Sequence, residues 1–156
     1  MLQHDVKQFS SDKILKHLDR VNQWLEGKNP PPITMELDLT NRCTHNCPEC
    51  VSGYFQRRNQ ASLPAELAER IVRELGAFGV RGLIFTGGGE PLLHRSAVRM
   101  ITLARRCGMD VALITNGSHF TERNMGPILE ACTWVRVSLD AITPATFRVT
   151  HGLGET

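Results

Sequence analysis

Apolar positions recur along this chain in two rhythms, one with the period of a helix and one with the period of a strand. Ile14, Leu15, Leu18, Val21 and Leu25 fall at helical spacing behind Ser10-Ser11-Asp12, a run suited to an N-cap, and Gly27 with Pro30-Pro31-Pro32 ends that helix. Thr34 to Leu39 then alternates and predicts a strand. Ser62-Leu63-Pro64 caps a predicted helix from Ala65 to about Phe78, with Leu67, Ile71, Val72 and Leu75 on one face. Val80 to Thr86 is a short apolar strand broken by Gly87-Gly88-Gly89. The alternation repeats: a helix from about Ser96 to Cys107, a strand from Asp110 to Thr115, and a helix capped by Thr121 that Gly126-Pro127 is expected to kink or delay. Trp134 to Leu139 reads as a further strand, and Thr143-Pro144 as an N-cap with proline at the first helical position.

Short apolar strands alternating with helices predict an α/β fold with a parallel sheet or barrel. About four βα units are legible, whereas a closed eight-unit barrel takes about 250 residues. The chain of 156 residues therefore reads as an N-terminal helix and proline-rich linker (1–33) followed by an incomplete α/β core (34–156).

Bulk properties narrow the partners. With 41% hydrophobic and 22% charged residues the profile is that of an ordinary globular protein. A formal charge of +2 offers little to nucleic acid or an anionic membrane. No apolar run approaches the roughly 20 residues of a membrane span, and the first residues lack the pattern of a secretory signal, so the expected compartment is the cytoplasm.

The five cysteines are unevenly spread: Cys43, Cys47 and Cys50 fall within eight residues, while Cys107 and Cys132 stand alone and read as small buried residues. Under reducing conditions such a triplet points to a metal site. Three thiolates spaced C-x3-C-x2-C suit three corners of a cubane iron–sulfur cluster with one iron left open. A zinc site completed by His45 or by a distant His or Cys is the other reading of the same residues. His45 itself is expected to be an exposed loop residue, and His94, His119 and His151 show no ligand spacing.

Ligands of parallel α/β folds gather at the carboxyl ends of the strands. Here those ends carry the cysteine loop, Gly87-Gly88-Gly89-Glu90-Pro91, Thr115-Asn116-Gly117 and Ser138-Leu139-Asp140. A strand end without side chains exposes its backbone to a close ligand, and carbonyl and carboxylate oxygens suit a cation. Alternation places Ser138 and Asp140 on the same side of their strand.

The cysteine triplet after the first strand, with Gly88-Gly89-Glu90-Pro91 one βα unit later, resembles the radical S-adenosylmethionine (radical SAM) superfamily from about Thr34 onward. The resemblance implies a [4Fe–4S] cluster on Cys43, Cys47 and Cys50. It further implies S-adenosylmethionine bound through Gly88, Gly89, Glu90, Asn116, Ser138 and Asp140, and reductive cleavage to a 5′-deoxyadenosyl radical. A small-molecule or peptide substrate and an electron donor such as a flavodoxin or ferredoxin follow from the same comparison; a non-catalytic zinc- or cluster-binding module is the alternative. Two departures stand out. Glu49 occupies a position where relatives often carry an aromatic residue toward adenine, and Arg148 is the nearest match to an arginine that pairs with the cofactor carboxylate in some branches. The family core has about six βα units, so the chain is expected to be part of a longer protein or to be completed by another chain. By itself it is expected to expose the edge of its fourth strand to aggregation.

Overall fold

The computed structural model describes residues 11–153. Four parallel strands, β1 (Thr34–Asp38), β2 (Gly82–Thr86), β3 (Asp110–Thr115) and β4 (Trp134–Val137), form one sheet in the order β1-β2-β3-β4. Each strand therefore pairs with its neighbour in sequence, as in a barrel wall, rather than reversing order as in a doubly wound sheet.

Register aligns Leu37 with Phe85, Phe85 with Leu113 and Leu113 with Val135 across all four strands. Phe85 and Leu113 are fully buried in this row, and Leu83 and Val111 form a second buried row beside it. Three helices cover this face: α3 (Ala65–Phe78), α4 (Ala97–Arg106) and α5 (Glu122–Ala131). The buried stripe of α3 is Ala65, Ala68 and Val72. Leu67, Ile71 and Leu75, expected to face inward, flank it half-buried, because alanine at the point of closest approach lets the helix lie flat on the sheet. Met100, Ile101 and Ala104 of α4 are fully buried between α3 and α5.

Several boundaries differ from expectation for local reasons. The N-terminal helix is a 3-10 segment (Ser11–His17) that becomes α1 (Leu18–Leu25), and its expected cap at Ser10 lies outside the described residues. No residue of α1 is buried. Polar contacts moor it instead: Arg20 donates to the Gly79 carbonyl at 2.8 Å, and Arg81 grips the Asp19 carboxylate through both terminal nitrogens. A short helix, α2 (Gly53–Arg58), stands where no helix is predicted, its first turn opened by the Gly53 N–H donating to the Cys50 carbonyl at 3.0 Å. Pro127 does not delay α5. Thr121 and Asn124 form a capping box that starts the helix at Glu122. Beyond β4, α6 (Pro144–Thr150) begins as predicted, with Thr143 accepting from the Thr146 N–H.

Candidate metal centre and cofactor cavity

The carboxyl ends of all four strands open on one cavity of about 580 Å3, a size typical of small-ligand sites. Cys43, Cys47 and Cys50 line it, together with Gly89, Glu90, Asn116, Ser138 and Asp140. Gly88 stands just behind the lining, its carbonyl capped by the Gln56 amide.

The cysteine loop is an excursion pinched off at its base. Thr40 bridges to Ser62, and the Leu63 N–H donates to the Leu39 carbonyl at 2.9 Å, so the chain leaves and re-enters at one point. Two further contacts shape the loop from above. The Glu90 N–H donates to the Arg42 carbonyl at 2.8 Å, and at Gly89 any side chain would run into that same carbonyl. Glycine is required at position 89 because two backbones touch there. On the other side, the Asn46 N–H donates to the His151 carbonyl at 3.0 Å, so the end of α6 holds the loop down.

Every cysteine of the triplet has an N–H group near its sulfur. Cys43 Sγ receives the His45 N–H at 3.4 Å and the Asn116 amide at 3.7 Å; Cys50 Sγ receives the Gln56 amide at 3.7 Å. Cys47 Sγ lies 3.6 Å from His151 Nδ1. Burial pushes the Cys43 and Cys47 thiols upward, and neighbouring thiols and carboxylates add to the rise. Without a metal these groups are held as thiols; a cation among them reverses that balance and expels the protons.

The donor set was tested against both metals suggested by the spacing. One tetrahedral zinc holds thiolate sulfurs about 3.8 Å apart, given Zn–S bonds near 2.3 Å. Among the described residues, the group whose candidate ligand atoms all lie within 4.8 Å of one another is His45, Cys47 and His151; Cys43 and Cys50 stand outside it. The three sulfurs are thus spread too widely for a single ion. A cubane, which presents its irons on separate corners, fits three spread sulfurs. Cys107 and Cys132 pack against the core, half-buried, and burial pushes the Cys132 thiol up to about 11.

Glu90 is 2% exposed. Its carboxylate accepts from the Leu92 N–H at 3.0 Å, from Thr115 Oγ1 at 2.7 Å and from the Asn116 N–H at 2.7 Å. It is a strut between the ends of β2 and β3, and of roughly four lone-pair positions on a carboxylate it leaves one for a ligand. Gly88 is held at both ends: its N–H donates to Asp38 at 2.9 Å and its carbonyl accepts from Gln56 Nε2 at 2.5 Å. Asn116 also donates to Thr44 Oγ1 at 3.1 Å and accepts from Ser118, which ties the third strand end to the cysteine loop.

Ser138 and Asp140 reach the cavity from a loop, since β4 ends at Val137, and strand alternation is not what orients them. Arg148 is exposed and does not line the cavity. His45, expected on the surface, is 8% exposed. Its Nδ1 sits 2.9 Å from that of His151, and Phe147 packs on both rings. His151 is 1% exposed and belongs to the site, although it lies 104 residues from Cys47 and no local spacing marks it. Gln56 was equally unmarked, because its helix was not expected. His94 is structural: it accepts the Ser96 N–H at Nδ1 and donates from Nε2 to the Leu63 carbonyl at 2.8 Å.

Comparison with known proteins places this geometry. The profile of the Radical SAM superfamily matches residues 37–154. The chain is 32% identical over 140 residues to GTP 3′,8-cyclase 1 of Pseudomonas aeruginosa, covering 86% of this chain and 42% of that protein. It is 32% identical over 112 residues to the PqqA peptide cyclase of Gluconobacter oxydans, covering 72% of this chain and 29% of that one. In fold it matches Streptococcus suis SuiB bound to the precursor peptide SuiA, with a TM-score of 0.68 at 17% identity over 88% of this chain and 30% of SuiB. The chain thus spans less than half the length of these curated relatives.

Proposed function

Because the chain belongs to the radical SAM superfamily, a family of enzymes that use a [4Fe–4S] cluster and S-adenosylmethionine, we propose that it carries the cofactor-binding part of such an enzyme. The observation behind this reading is the convergence of three widely spread thiols and three other polar strand ends on one cavity.

Cys43, Cys47 and Cys50 would hold the cluster. When bound, it supplies the electron that splits the sulfonium into methionine and a 5′-deoxyadenosyl radical. The protein's task is to bind, orient and shield. The backbone of Gly88 and Gly89 and the remaining lone pair of Glu90 receive the methionine ammonium, since oxygen acceptors alone suit a cation. Asn116, Ser138 and Asp140 take the polar groups of the carboxylate and ribose from the opposite side. The N–H donors around the sulfurs favour the reduced, more negative state of whatever the sulfurs hold, because they stabilise added charge.

A reduced flavodoxin or ferredoxin is the expected electron source, and the cytoplasm the expected compartment. No helix among the described residues is long and apolar enough to cross a membrane. The substrate is proposed to be a peptide or a small molecule. A peptide cyclase, a GTP cyclase and a peptide-bound structure among the relatives support that range.

The test is anaerobic reconstitution of the chain with iron and sulfide, followed by S-adenosylmethionine and a strong reductant. A brown protein that releases 5′-deoxyadenosine, and loses its colour when any one of Cys43, Cys47 or Cys50 becomes alanine, is the expected result. A stable cluster that releases no deoxyadenosine would overturn the cleavage role.

A further inference from the structure

We propose that His45, Cys47 and His151 form a mononuclear zinc site in the cluster-free protein, and that zinc there and a cluster on Cys47 exclude each other. Only the exclusion rests on the reading above; the zinc site stands on its own geometry.

A tetrahedral zinc with Zn–N bonds near 2.0–2.1 Å and a Zn–S bond near 2.3 Å sets its N···S edge at about 3.6 Å and its N···N edge at about 3.4 Å. Cys47 Sγ and His151 Nδ1 are already 3.6 Å apart. The two Nδ1 atoms, at 2.9 Å, need open by only about 0.5 Å to reach the zinc edge. At that distance one ring must donate a proton to the other, and a divalent ion takes the place of the shared proton. Cys43 and Cys50 lie outside this group, so the zinc site and the cluster share one sulfur and no more.

The ligands are held in place before any metal arrives. His151 caps α6 and its carbonyl anchors the cysteine loop through Asn46, while Phe147 packs at 4.1 Å from the His151 ring and 5.8 Å from the His45 ring. All three ligands line the cavity, so water can fill the fourth position. One feature weakens the site. Ligation through Nδ1 leaves the proton on His151 Nε2, which is buried without a partner. Such support of a ligating histidine is worth roughly 10–100-fold in affinity, so this zinc is exchangeable rather than structural.

The experiment titrates the cluster-free full chain with Zn2+ in competition with a chromophoric chelator. One equivalent is expected to bind. The Cys43→Ser/Cys50→Ser double variant keeps that affinity within about threefold, whereas His45→Ala and His151→Gln each weaken it by at least about tenfold. Co2+ in the unmutated chain gives a reading that does not depend on how variants fold: the thiolate-to-cobalt charge-transfer intensity corresponds to one sulfur. Zinc-loaded protein takes up no iron and sulfide until the zinc is stripped. Absence of binding, a three-sulfur cobalt spectrum, or loss of zinc in the double-serine variant with retention in the histidine variants would overturn the site. If zinc binds as described and yet zinc-loaded protein still assembles a cluster, the exclusion fails and the site survives. Failure of the unmutated, zinc-free chain to assemble any cluster would count against the proposed function and the exclusion, and leave the zinc site standing.

Discussion

Replacing Glu90 by glutamine keeps the size and shape of the side chain and removes its charge. The Glu90 carboxylate is 2% exposed and accepts three hydrogen bonds, two from backbone N–H groups and one from Thr115. A glutamine can keep its carbonyl oxygen toward Leu92 and Thr115. Its amide nitrogen then faces the Asn116 N–H, donor against donor, where an acceptor stood at 2.7 Å. Losing a hydrogen bond to a charged acceptor costs about 1.5–3 kcal/mol, and a buried donor left unsatisfied adds to that, so the variant is expected to lose about 2–4 kcal/mol. With a urea m-value of about 1–3 kcal/mol/M, the midpoint of unfolding should fall by roughly 1–2 M. Thr115→Val removes one of the three bonds, and the double variant should be less destabilised than the sum, with a coupling of about 0.5–3 kcal/mol. A midpoint for Glu90→Gln within about 0.5 kcal/mol of the parent would refute the strut, because surface carboxylates behave that way and this one should not.

Cys132, its thiol at about 11, should be about 10^-4 thiolate at pH 7 and be alkylated far more slowly than a free cysteine near 8.5, as peptide mapping after brief iodoacetamide treatment would show. Because folding raises this pKa, the stability it contributes is fully present below the unfolded value and is lost as pH rises from about 9 through about 11, measurable as a falling denaturation midpoint. Phe85→Ala removes the largest fully buried side chain of the sheet and should cost about 3–5 kcal/mol in denaturant melts, with no direct effect on the metal ligands. Leu139 and Ile142, 68% and 99% exposed beside the β4 edge, should be replaceable by lysine with a gain in solubility, seen as a smaller aggregate fraction by light scattering.

Much of the fold was legible because the strands and helices announce themselves locally. Thr121 and Thr143 cap their helices as their side chains predict, and the apolar runs at Leu83–Phe85 and Val111–Leu113 become the buried rows of the sheet. The cysteine triplet and the glycine run were legible for the same reason: their spacing is written within a few residues, and parallel strands bring their ends to one rim whatever the loops between them.

What pattern alone did not decide was how the rim closes. His45 turns inward because α6 folds back over the cysteine loop and brings His151 to it across 106 residues. Gln56 meets Gly88 from a helix that no periodicity predicted, and Glu90 spends three of its acceptor sites on β3. Sequence determined the order of elements and the kinds of ligand, since propensity, capping and spacing act over a few residues. Tertiary packing alone decided which donor atoms share a distance that one ion, or a larger core, can span.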